Sequence, residues 1–152
     1  MLPIPGNGKK YRQGIYVPKN PQKYVGKGPI RFLSAYELLF FRFCDNNPNV
    51  QEWVSEGIII PYISPLDNRT HKYYTDGAMV IKEGDKFVKY LIEIKPSKQV
   101  SAPVAGKKKK KTLLQENMTY IVNQAKWNAA QAYADRNGFK FQILTEKELG
   151  IK

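Results

Sequence analysis

Two runs of strand-forming residues, 72–82 and 86–95, meet at Gly84-Asp85, and no other feature narrows the possible folds of this chain as much. Glycine at the first central position of a two-residue turn supplies the positive φ of a type II′ hairpin. Counting outward from that turn pairs Glu83 with Lys86 and brings Asp76 opposite Glu93. Directly opposed residues have Cβ atoms roughly 4.5–5.5 Å apart, so two carboxylates there either repel or share a cation. Side chains alternate across a strand, which puts Lys95 on the same face as Glu93. An aspartate, a glutamate and a lysine converging in this way are suited to metal-assisted hydrolysis of a phosphodiester.

The flanking sequence supplies the remaining elements. Residues 1–30 carry prolines at 3, 5, 18, 21 and 29 interleaved with glycines, a pattern that predicts an extended basic arm without regular structure. Ser34-Ala35-Tyr36-Glu37 opens a helix that ends near Asp45-Asn46-Asn47-Pro48. Serine followed three residues later by glutamate also spells a capping box, a purely structural role for Glu37. Its helical neighbours Leu33, Phe40 and Phe41 are apolar, however, and a carboxylate among them requires a cation or a donor. Trp53-Val54 and residues 57–63 read as a strand region, with Pro61 pointing to an edge or bulge. Pro96 ends the hairpin, and residues 97–112 are expected to form a mobile lysine-rich loop. A long helix is predicted from Leu113 or Leu114 to Asn137-Gly138, then a short strand over residues 139–144 and a final helical turn at 145–149. The expectation is one α/β (α+β) domain over residues 1–152, ordered helix, three strands, long helix, strand, with a mixed sheet.

Net charge decides the class of partner. The chain carries a formal charge of +12, and it is segmental. Residues 1–31 hold seven Lys or Arg and no acid, and residues 95–111 hold another seven, again with no acid. Such segments neutralise phosphates and release counterions. Lys9, Lys10 and Arg12 in the arm, and Lys107, Lys108, Lys109, Lys110 and Lys111 in the loop, are therefore candidate DNA contacts. Lys126 on the long helix is a further candidate backbone contact, beside Gln124 and Asn128. A single cysteine, Cys44, and a single histidine, His71, exclude a disulfide framework and a Cys/His zinc site. No apolar run approaches the roughly 18 residues of a membrane span, and no signal peptide is apparent, so a soluble protein in a reducing compartment is expected.

A glutamate on the first helix, an aspartate on one hairpin arm and Glu-x-Lys on the other resemble the PD-(D/E)XK restriction-endonuclease-like superfamily, whose core has this order of elements. The sequence departs from that pattern at Thr75, where a proline is expected before the aspartate. A closer resemblance spans nearly the whole chain. The segments Gly14-Ile15-Tyr16-Val17-Pro18-Lys19-Asn20-Pro21-Gln22-Lys23-Tyr24, Ser34-Ala35-Tyr36-Glu37, Glu93-Ile94-Lys95-Pro96 and Asn123-Gln124-Ala125-Lys126-Trp127 look like the head completion proteins of T-even-type tailed phages. That family is itself similar to TnsA-type endonucleases of transposons. The resemblance implies a nuclease with Glu37, Asp76, Glu93 and Lys95 as its catalytic residues. It implies a magnesium ion, with manganese as a substitute, held by Asp76, Glu93 and the backbone carbonyl of Ile94, and Glu37 at a second ion or a water. Lys95 would orient or deprotonate the attacking water or neutralise charge on the phosphate. It further implies partners among DNA and the phage head and portal vertex proteins, and a place in the host cytoplasm during assembly and then in the virion. Two other classes compete: a structural DNA-binding completion factor whose catalysis is dispensable, and an RNA-binding accessory protein.

Overall fold

The computed structural model describes residues 13–150. Lys9, Lys10 and Arg12 lie outside them. The hairpin forms in the expected register: β6 (Gly77–Glu83) pairs antiparallel with β7 (Lys86–Ile94), matching Glu83 to Lys86 and Gly77 to Ile92. Gly84 has φ +63 while Asp85 keeps a negative φ, as a type II′ turn requires.

Two expectations for the strands are corrected. Residues 50–63 form two strands: β3 (Val50–Ser55) pairs with β6, whereas β4 (Ile59–Ile63) pairs with β5 (Thr70–Tyr74) in a separate hairpin. The arm expected over residues 72–82 accordingly breaks in two, with residues up to Tyr74 in β5 and residues from Gly77 in β6. Thr75-Asp76 is the joint between the two hairpins. The break has a local cause, because Thr75 turns inward, fully buried, and its backbone N–H and Oγ1 both donate to the carbonyl of Ile58, at 3.2 and 2.8 Å.

Helix α1 (Ala35–Asn46) begins at Ser34, whose hydroxyl accepts the N–H of Glu37. Helix α2 (Lys110–Asn137) ends at Gly138 with φ +74, the left-handed conformation that glycine adopts at lowest cost. It starts earlier than the pattern predicted, so Lys110 and Lys111 belong to the helix. The loop before it contains a short 3₁₀ turn at Ser97–Gln99. Strand β8 (Phe139–Leu144) and α3 (Glu146–Leu149) match expectation. From residue 13 on, the arm is more ordered than its prolines suggested: β1 (Gly14–Tyr16) and β2 (Ile30–Phe32) pair antiparallel, and a 3₁₀ turn lies between them at Pro21–Lys23.

The main sheet has the order β3-β6-β7-β8, antiparallel except for the parallel β7–β8 pair that α2 connects. Each face has its own core. On one, Phe40, Phe41 and Cys44 of α1 pack on Trp53, Ile92 and Ile94. On the other, Trp127 and Ala130 of α2 pack on Leu91 and on Ile60, Tyr62 and Tyr73 of the second hairpin. Alternation along β7 thus sends Ile92 and Ile94 toward α1, and Leu91 and Glu93 toward α2.

Candidate active site

Asp76 and Glu93 meet where the second hairpin joins the sheet. The backbone of Asp76 is held from both sides: its N–H donates to the carbonyl of Ile92 at 3.1 Å, and its carbonyl accepts the N–H of Glu56 at 3.2 Å. Its side chain is fixed as well, Oδ2 accepting the N–H of Ile94 at 2.7 Å. Close packing places the joint, since a Cβ on the following Gly77 would meet Phe40 of α1 at 2.7 Å and the Val54 carbonyl at 3.0 Å. Only glycine lets β6 approach α1 so closely here.

Glu93 is 4 % exposed. Its Oε1 accepts the hydroxyl of the buried Tyr73 at 2.5 Å, and its Oε2 lies 3.8 Å from Nζ of the half-buried Lys95. Lys95 is anchored by its N–H to the carbonyl of Leu144 at 3.0 Å, which ties the Glu-x-Lys segment to β8. The Nζ of Lys126 sits 5.7 Å from the centroid of the Tyr73 ring and 5.9 Å from that of Tyr62. Lys126 therefore stands, half-buried, behind the tyrosine that holds Glu93.

The electrostatics are those of two acids brought together. Burial, and then the charge of Glu93 beside it, push Asp76 up to about 8; the Ile94 N–H opposes this and the charge of Glu37 adds to it. Burial, with the Glu93 charge next, drives the Tyr73 hydroxyl well above the ordinary tyrosine range, so Tyr73 stays a donor. Glu37 is half-buried at the start of α1 and is also raised, by burial first, against the lowering effect of the Leu33 N–H that it accepts at 2.6 Å, with Glu56 adding to the rise. The capping role of Glu37 is thus partly realised, one residue before the expected Ser34 N–H.

Buried carboxylates in contact need a shared proton or a cation. The donors present are all oxygen, the preference of a hard divalent ion such as magnesium or manganese, and Asp76 with Glu93 fit such an ion. Among the described residues no three acidic, histidine or cysteine side chains cluster at metal-binding distance, so Glu37 stands apart from the pair. The sequence reading missed Tyr73 and Glu56. Tyr73 is signalled only by its place in β5, and Glu56 by nothing in the pattern; its φ of +56 marks the bend that aims its N–H at Asp76. His71 pairs with Asp67 on the exposed end of the second hairpin, away from this chemistry. Lys107, Lys108, Lys109, Lys110 and Lys111 are all exposed, with Lys108 bonded to Glu116 at 2.5 Å.

A mixed sheet between two helices, with an aspartate at one strand entrance and Glu-x-Lys at the end of its neighbour, is the frame of a nuclease. Residues 47–146 match the family model described as TnsA-like endonuclease N terminal, and the chain belongs to that family. It is 39% identical over 147 residues to the head completion nuclease of Enterobacteria phage T4, an alignment that covers 91% of this chain and 96% of that relative. Among the described residues no helix is long and apolar enough to cross a membrane.

Proposed function

We propose that this protein is a magnesium-dependent DNA endonuclease that acts in phage head completion, at or near the portal vertex, in the host cytoplasm and then in the virion. The observation that carries the chemistry is the contact between Asp76 and Glu93 with Lys95 beside it. The phage role is supported by the relative's own name, together with identity over most of both chains.

Asp76 and Glu93 would hold the ion, with the backbone carbonyl of Ile94, the residue after Glu93 in β7, as a further oxygen ligand. A divalent cation bound there supplies Lewis-acid polarisation of the scissile phosphate and lowers the pKa of water. Tyr73 fixes one oxygen of Glu93 so that the other is left for binding, and Ile94 does the same for Asp76. Lys95 offsets the negative charge that builds on the phosphoryl oxygens as water attacks phosphorus and the P–O bond to the leaving strand breaks. Glu37, raised by burial, accepts a proton from the attacking water or orients it. The exposed lysines at the start of α2 bring the DNA backbone to the site. Cations at a helix N-terminus are unfavourable by themselves, and phosphate relieves that repulsion.

Plasmid nicking with magnesium or manganese at low salt tests this reading. Glu93→Gln and Asp76→Asn are expected to lose at least about 100-fold in rate while remaining folded by circular dichroism. Absence of nicking by the wild-type protein with either metal would remove the enzyme from the reading.

A further inference from the structure

Beyond the carboxylates, the segment that leaves β7 and the first half of α2 line an open-mouthed cavity of about 600 Å³, within the size of small-ligand sites. Asn123 forms part of its wall. It is buried, 4 % exposed, and carries a polar amide side chain. An amide is both donor and acceptor, the complement of a nucleobase edge. Gln99 and Gln115 add two more amides to the lining, and Tyr120 offers a half-buried aromatic ring. Two lysines complete the set. Lys108 is neutralised by Glu116, an ion pair that fastens the loop to the helix. Lys98 has no carboxylate within salt-bridge distance among the described residues, which leaves its ammonium for a phosphate.

The position of the cavity links it to the reacting centre. Lys98 follows Lys95 by three residues, so their Cα atoms are at most about 11 Å apart. A strand whose phosphate lies at Asp76 and Glu93 therefore reaches the cavity with its next nucleotides. Aromatic stacking plus amide contacts is how proteins hold a base taken out of the helix, and the cost of extrusion is least for a base already unpaired.

We propose that this cavity receives one unpaired nucleotide of the DNA strand being cut, so that the preferred substrate carries an unpaired or terminal nucleotide beside the scissile phosphate. The proposal rests on the nuclease reading above for its substrate. Fluorescence anisotropy in chelating buffer, where nothing is cut, compares an intact duplex with the same duplex bearing one unpaired nucleotide. The wild-type protein is expected to bind the second about 10-fold more tightly. Asn123→Leu and Tyr120→Leu, each checked for folding, bring that affinity down to the duplex value without changing duplex binding. Equal binding of the two DNAs by the wild-type protein, or a preference that survives both substitutions, overturns the proposal. Free deoxynucleoside monophosphates form a separate arm: if they bind as tightly as the unpaired DNA and the substitutions abolish it, the ligand is a free nucleotide and the strand assignment falls. If the preference and its loss are seen but nicking is not, the nucleotide site stands and the nuclease reading fails.

Discussion

Asp76 is costly to the fold that holds it. Burial and the charge of Glu93 push Asp76 up to about 8, whereas an unfolded aspartate releases its proton near pH 3.9. Between those values unfolding releases a proton, so this residue lowers stability progressively as pH rises. In chelating buffer at pH 8, Asp76→Asn should therefore be more stable than wild type and melt at a higher temperature. The gain should vanish near pH 4, and magnesium or manganese at pH 8 should raise the wild-type Tm and leave that of the variant unchanged. Thermal scans across pH decide it; a variant less stable than wild type at pH 8 would mean that Asp76 is stabilised by groups other than those described. Thr75 shows how the joint tolerates the loss of the expected proline. Two donors of one residue on the Ile58 carbonyl fix the backbone as a ring would have done.

Among the elements, the N-terminal arm owes its order to one buried acid on α1. Asp45, 0 % exposed, accepts the Tyr16 hydroxyl at 2.6 Å and the backbone N–H groups of Lys19 and Asn20 at 2.7 and 2.9 Å. Burial by itself would raise Asp45, and these bonds outweigh it, so the carboxyl lies below its usual range. The latch is therefore complete above the unfolded aspartate pKa and is lost as pH falls through the lower, folded value. Asp45→Ala strands three donors at once and should cost about 3 kcal/mol in urea unfolding, with faster proteolysis between β1 and β2. A cost below about 1 kcal/mol would show that the β1–β2 pairing alone holds the arm. The second hairpin is the other element that reshapes the site. By taking residues 70–74 out of the main sheet, it turns Tyr73 onto Glu93 and leaves Asp76 at a joint.

For the whole molecule, the charge of +12 sets affinity for a polyanion before any contact is specific. Replacing the five lysines 107–111 with alanine should lower the magnitude of the slope of log K against log salt by roughly 4, since each phosphate neutralised contributes about 0.9 and Lys108 is already paired with Glu116. DNA-binding isotherms over a salt series measure this, and an unchanged slope would place the DNA elsewhere. Much of this protein was settled by short-range chemistry in the chain. The glycine turn at Gly84-Asp85 fixed the register of β6 and β7, Ser34 and Gly138 bounded the helices, and strand alternation put Lys95 beside Glu93. These features depend on residues a few positions apart, which is why they were legible. Tertiary structure decided the rest. The split between the two hairpins depends on Thr75 finding Ile58, the arm's order on Asp45, and the early start of α2 within a run of lysines that repel one another. Tyr73, Glu56 and the Asn123 cavity are visible only after distant segments are packed, because burial and close approach are properties of the folded chain and not of local pattern.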